Sequence, residues 1–93
     1  MTDRTVSSGN IWTDLGRSPD EAAKLKIRSK LMIRITDYIE EEGLTQAQAA
    51  QVFGVSQPRV SHLVTGKINL FSIDTLVDMA TKAGLKVDVE VYA

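Results

Sequence analysis

The side chains best suited to chemistry in this sequence are hydrogen-bonding groups rather than catalytic ones. Gln57, Arg59, Ser61 and His62 lie within one short stretch between Ser56 and Gly66. A glutamine can bond adenine bidentately, an arginine can bond guanine, and a serine can bond either base. Catalysis has less to work with. The chain has one histidine and no cysteine, so neither a disulfide nor a thiolate metal site can form. No acid lies near His62 in sequence, which weighs against its serving as a general base or metal ligand. No glycine-rich phosphate loop or metal-spaced ligand set occurs, and no nucleophile has a base beside it. The expectation is a protein that is not an enzyme, with no catalytic residue, metal or cofactor.

The elements that would present these side chains can be read from the flanking residues. Thr45 and Gln48 have capping-box spacing, in which the threonine oxygen accepts a free amide and the glutamine reaches back. Ser56 is a second N-cap, with Val55 and Val60 at the two staple positions around it. Pro58 falls in the first turn, where its missing N–H costs little. Gly54 supplies the turn between the two helices and Gly66 closes the second. Two short helices joined by such a turn make a helix-turn-helix, here spanning 45–66. On the second helix, Val60, Leu63 and Val64 form an apolar stripe that must face a core. Pro58, Ser61, His62 and Thr65 lie opposite, with Gln57 and Arg59 on the flanks. A polar outer face is ordinarily just solvated. Here it has no carboxylate and carries residue types that suit base edges. The whole window from Gly43 to Ile73 contains no Asp or Glu, although acids outnumber bases in the chain, 12 to 11. A phosphate-facing surface requires such a window.

At this point the sequence resembles the helix-turn-helix of the Xre/Cro family of phage and bacterial repressors. The matching residues are Thr45-Gln46, Ala49-Ala50, Phe53, Gly54, Ser56-Gln57, Val60, Leu63, Gly66 and Lys67, aligned without a gap. The resemblance covers roughly residues 27–85. It implies an all-α fold: a compact four- to five-helix bundle of the lambda-repressor-like DNA-binding type. It also places Gln57 and His62 where the family's base-reading residues lie. Pro58 occupies a third such place and departs from the usual polar residue, leaving only an apolar contact, such as one to a thymine methyl. The expected DNA-binding set is Thr45, Gln46, Ser56, Gln57, Pro58, Arg59, Ser61, His62 and Lys67. In it, Thr45, Gln46 and the helix N-terminus clamp a phosphate, Ser56 and Lys67 hold the backbone, and Gln57, Arg59, Ser61 and His62 reach base edges.

The rest of the chain divides around this unit. Residues 1–17 read as a polar, partly disordered arm anchored by Val6, Ile11, Trp12 and Leu15, with Trp12 covering an edge of the core. Residues 18–85 form the domain. Its first helix is opened by Ser18-Pro19-Asp20-Glu21, runs to about Glu42 and stops at Gly43. Ile27, Leu31, Ile35, Tyr38 and Ile39 line one side. Leu25, Met32 and Ile33 add a second apolar face, which suggests a partner. Lys24, Lys26, Arg28, Lys30 and Arg34 form a basic cluster, read first as a solvated face and second as DNA-backbone contacts. Lys67 to Phe71 reads as a loop. Ser72 caps a further helix with Ile73, Leu76, Val77 and Ala80 on its core face, ended by Gly84 with Leu85 folding back.

Residues 86–93 alternate strictly, with Val87, Val89 and Val91 on one side, which predicts a strand. A lone strand leaves its backbone unpaired, so the expectation is pairing across a two-fold homodimer through these valines. The leader Gly-Asn-Ile-Trp-Thr-Asp-Leu-Gly and this valine-rich end are similar to small HigA-like antitoxins. That similarity implies repression of the protein's own operon and neutralisation of a cognate toxin protein.

Size and charge are consistent with this. Ninety-three residues suit one domain, and a formal charge of −1 argues against a nonspecific polyanion binder while allowing a local basic face. No membrane-length apolar run or signal-peptide pattern is present, so a soluble cytoplasmic protein is expected. The expected partners are double-stranded DNA bearing a palindromic operator and a second copy of the chain, with no membrane.

Overall fold

The structure, a computed structural model, describes residues 18–93. The expected arm over residues 1–17, with its leader and Trp12, lies outside the described residues. The described chain folds into four α-helices: α1 (Pro19–Glu41), α2 (Gln46–Phe53), α3 (Gln57–Val64) and α4 (Ile73–Lys82). A 3-10 turn at Ile68–Leu70 stands where the sequence predicts a plain loop.

Each α-helix starts at the residue its sequence marks. Ser18 Oγ accepts the Glu21 N–H at 3.2 Å, and Glu21 Oε1 accepts the Ser18 N–H at 3.3 Å. The Ser18 hydroxyl, followed by first-turn amides, holds the exposed Asp20 carboxyl below its ordinary pKa of 3.8. At α4, Ser72 Oγ accepts the Thr75 N–H at 3.1 Å. The stop of α4 also follows expectation: the Leu85 N–H donates back to the Ala80 carbonyl at 3.0 Å, folding Leu85 onto the helix.

One core joins all four helices. Met32, Ile35 and Ile39 come from α1; Ala49, Ala50 and Phe53 from α2; Val60 and Leu63 from α3; and Leu76, Met79 and Ala80 from α4. Phe71, between the 3-10 turn and α4, completes it. The rings of Tyr38 and Phe53 meet edge to face, with centroids 6.1 Å apart.

Two expectations require correction. On α1 the core stripe runs through Met32, Ile35 and Ile39, with Leu31 and Tyr38 partly buried against it. Met32 thus leaves the expected second apolar face for the core, while Ile27, expected in the core stripe, is 40% exposed. Ile33, expected on the second face, is 60% exposed. Length explains part of this. A 23-residue helix is about 34 Å long, whereas α4, its main neighbour, has ten residues and spans about 15 Å, and α3 has eight and spans about 12 Å, so they cannot cover all of α1.

The second correction concerns the C-terminus. No strand occurs among the described residues, and Val89 and Val91 are 67% and 90% exposed. A strand exists only through backbone pairing, and within the described chain nothing lies alongside 86–93 to provide it.

Candidate nucleic-acid interface

The geometry begins at α2. Thr45 Oγ1 accepts the Gln48 N–H at 3.1 Å, and Gln48 Oε1 accepts the Thr45 N–H at 2.9 Å. The Ala49 N–H donates to the Thr45 carbonyl at 2.8 Å. Of the four amides opening α2, those of Gln46 and Ala47 therefore remain directed out of the helix end. The Thr45 hydroxyl is committed to its cap, so an anion placed here would meet these two amides and the exposed Gln46 side chain.

The turn that follows is set by Gly54, at φ 69, a left-handed conformation that a side chain disfavours. Its N–H donates to the Gln51 carbonyl at 3.3 Å and the Val55 N–H to the Ala50 carbonyl at 2.9 Å, closing α2. A Cβ at Gly54 would lie 3.1 Å from Lys82 Cδ and 3.2 Å from Lys82 Nζ. The Lys82 ammonium thus stands over the C-terminal end of α2, which has no basic residue of its own in its last turn. A cation there offsets the partial negative charge of the helix end. Sequence reasoning missed this residue, because the contact joins segments far apart in the chain.

α3 then leaves the turn with Ser56 Oγ accepting the Arg59 N–H at 3.3 Å. Val60 and Leu63 are buried and Val64 is half-buried, as the apolar stripe predicts. Ser56, Gln57 and Pro58 are exposed, and Ser61 and His62 are half-exposed. The outer face is therefore open to solvent. Thr65 is less free, since its hydroxyl donates to the Ser61 carbonyl at 2.8 Å. Gly66, at φ 76, closes the helix, and the Lys67 N–H donates to the His62 carbonyl at 3.0 Å. That leaves the exposed Lys67 side chain at the far end of α3.

Arg59 is placed differently from the other candidates. Its guanidinium carbon lies 4.4 Å from the centroid of the Phe71 ring. Arg59 sits on the flank of α3 rather than on its outer face, and the cation–π contact holds its head group over a core phenylalanine. The acid-free window predicts the local positive charge but gives no sign of this stack. The sequence places Phe71 in a loop, where nothing marks its ring face as a seat for a cation.

The arrangement is a shallow polar surface with an open helix N-terminus at one end, Lys67 at the other, and amide, hydroxyl and imidazole groups between. Among the described residues no group of three or more His, Cys, Asp or Glu side chains could hold a metal ion, and no helix is long and apolar enough to cross a membrane.

Comparison with known proteins agrees with this geometry. The helix-turn-helix domain family matches residues 11–92. A solved structure provisionally named an XRE family transcriptional regulator superposes with a TM-score of 0.73 and is 28% identical. The match covers 81% of this chain and 83% of that one. No curated protein matches the chain.

Proposed function

The chain belongs to the helix-turn-helix domain family, of the Xre type, and from that premise we propose that this DNA-binding transcriptional regulator is a repressor acting on a palindromic operator. The observation that carries the proposal is the outward, carboxylate-free face of α3, set between the open N-terminus of α2 and Lys67. The amides of Gln46 and Ala47, the Gln46 side chain, Ser56 and Lys67 contact phosphates, which fixes position without reading sequence. Gln57, Ser61 and His62 read base edges, Pro58 gives an apolar contact, and Arg59 adds a cation at the groove wall while stacked on Phe71. Two copies bind half-sites about one helical turn, roughly 34 Å, apart or a multiple of that.

The test is titration of fluorescent duplexes carrying an operator selected from a random pool. Gln57→Ala combined with His62→Ala should weaken the selected site by tenfold or more and leave a scrambled duplex within about twofold, given about 1–3 kcal/mol for each good base contact. Unchanged affinity for the selected site in the double variant would remove α3 as the reading element.

A second reading, an antitoxin that also holds a toxin protein, has in its favour the exposed Ile33 beside a groove of about 290 Å³ lined by Met32, Thr36, Asp37, Leu63 and Val64. It requires co-purification with the product of an adjoining small gene and loss of that association in Ile33→Asp.

A further inference from the structure

Two recesses adjoin along one flank of α1. The first, of about 450 Å³, has Lys24 and Arg28 of α1 on one wall and Ile73, at the start of α4, on the other. The second, of about 370 Å³, shares Ile73 and has Ile27, Leu31 and Val77 as apolar walls. Together they form a trough that is basic toward the start of α1 and apolar further along.

Each half has an unmet requirement. Arg28 Nε is shut off from solvent and has no hydrogen-bond partner among the described residues. Glu21 and Asp74 also line the first recess, yet among the described residues the one ion pair joins Arg34 to Glu41. The Glu21 carboxylate accepts the Ser18 N–H instead. A polar group buried without a partner costs stability and calls for one. In the second half Ile27 is 40% exposed, so apolar wall stands open to water. The trough therefore suits a carboxylate followed closely by a large apolar side chain.

We propose that residues 11–15 of this chain fold back along α1 and fill the trough, with Asp14 meeting Arg28 and Trp12 entering the apolar half. The lengths agree. Asp14 and Trp12 precede Ser18 by four and six residues, so an extended chain carries them back by about 13 and 20 Å. Arg28 and Leu31 follow Ser18 by ten and thirteen residues, about 15 and 20 Å along the helix, and helical side chains lean toward the N-terminus. Asp14 and Trp12 are two apart, so in an extended segment both point to the same side. Gly16 stands where the chain must reverse, and a glycine accepts the conformations that a tight reversal needs. The family match begins at residue 11 rather than at Ser18, which counts this segment within the domain. A tether this short holds the segment at an effective concentration on the order of millimolar, which favours it over a free occupant. The reading needs no assumption about DNA, so the operator titration stands or falls separately.

Trp12 is the single tryptophan, so emission from the full chain reports the site directly. The expected spectrum is blue-shifted from that of free tryptophan, resists quenching by iodide, and does not change on dilution. Ile27→Asp, on the exposed wall, should return it to the solvent-like form while far-ultraviolet circular dichroism is unchanged. Asp14→Arg and Arg28→Asp should each raise iodide quenching, and the double variant should restore the shielding. Solvent-like emission from the parent chain overturns the proposal, as does shielding that survives Ile27→Asp. Shielding lost on dilution also overturns it, by assigning the trough to the segment of a second copy. Single charge variants that leave quenching unchanged, or a double variant that fails to restore it, overturn the pairing of Asp14 with Arg28.

Discussion

Replacing Gly54 with alanine tests whether the helix-turn-helix angle is imposed by backbone conformation or by packing. Gly54 sits at φ 69. The left-handed region costs a residue with a Cβ about 1–2 kcal/mol. Against this, alanine restricts the unfolded chain and returns about 0.4–1 kcal/mol. The added Cβ also meets Lys82 Cδ at 3.1 Å and Nζ at 3.2 Å. Those atoms are the far end of a flexible side chain, so they can swing away, at the loss of the cation over the α2 terminus. The net expectation is destabilisation of about 1 kcal/mol, plus a few tenths for the displaced lysine. For a domain of this size that lowers Tm by about 4–8 °C.

Gly66→Ala is the internal control. Its φ of 76 gives the same backbone penalty, and a Cβ there meets nothing within 4 Å. Urea unfolding followed by circular dichroism should therefore show both variants destabilised, Gly54→Ala slightly more so. The difference should vanish when both are remade in a Lys82→Ala background. Either alanine leaving stability unchanged or raising it would refute the backbone account. A Gly54 penalty that survives intact in the Lys82→Ala background would refute the contact term.

Further outcomes follow from the same geometry. Thr45→Ala should cost about 1 kcal/mol of stability by opening the capping box, and Gln48→Ala less, since it frees only the Thr45 N–H; urea midpoints check the order. Arg59→Ala should lower stability by about 1 kcal/mol through loss of the stack on Phe71, with Arg59→Lys between the two, a ranking that a purely solvated arginine would not give. Lys67→Ala should reduce the slope of log affinity against log salt by about one on any duplex, whereas a change confined to the selected operator would mean that it reads bases. The Asp20 carboxyl, lowered mainly by the Ser18 hydroxyl, contributes stability that is fully present above its ordinary pKa of 3.8 and is lost as pH falls through the lower folded value. An NMR titration should find that value below the ordinary one and rising in Ser18→Ala.

The sequence was most informative where the determinant is local. Ser18, Thr45, Ser56 and Ser72 each cap the helix they were read to open, because a cap depends on residues three apart. Gly54 and Gly66 were legible for the same reason, since the requirement for positive φ lies in one residue. The stripes of α3 and α4 follow from helical period, although Met79 also enters the core of α4. Legibility failed where apolar residues outnumber the positions a short neighbour can cover. On α1, Ile27 and Met32 are both credible core residues by pattern, and only the reach of α4, α3 and the 3-10 turn decides that Met32 is buried. It failed again where the determinant joins distant segments, as with Arg59 on Phe71 and Lys82 over Gly54. The C-terminal alternation is a third case: the period is genuine, but a strand also needs a neighbour, which period cannot supply.

The proposed phosphate contact at α2 has to be weighed against Glu40, Glu41 and Glu42, which immediately precede it in sequence and are exposed. At about 10 Å, two unit charges in water interact by about 0.4 kcal/mol, and one Debye length of salt at 0.1 M reduces that further. A direct bond from a backbone amide to a charged oxygen is worth about 1.5–3 kcal/mol. Contact therefore outweighs the acidic neighbours, and Glu41 is further occupied by Arg34 at 3.5 Å. The glutamates act at longer range, where no contact competes with them: they weaken loose association with any duplex more than they weaken the docked complex. With Arg59 drawn onto Phe71, little mobile positive charge remains on the reading face. On the proposed assignment, affinity then depends on the neutral bonds of Gln57, Ser61 and His62 to a greater degree than in a basic domain. A net charge of −1 thus shifts the balance from attraction to any DNA toward recognition of one sequence.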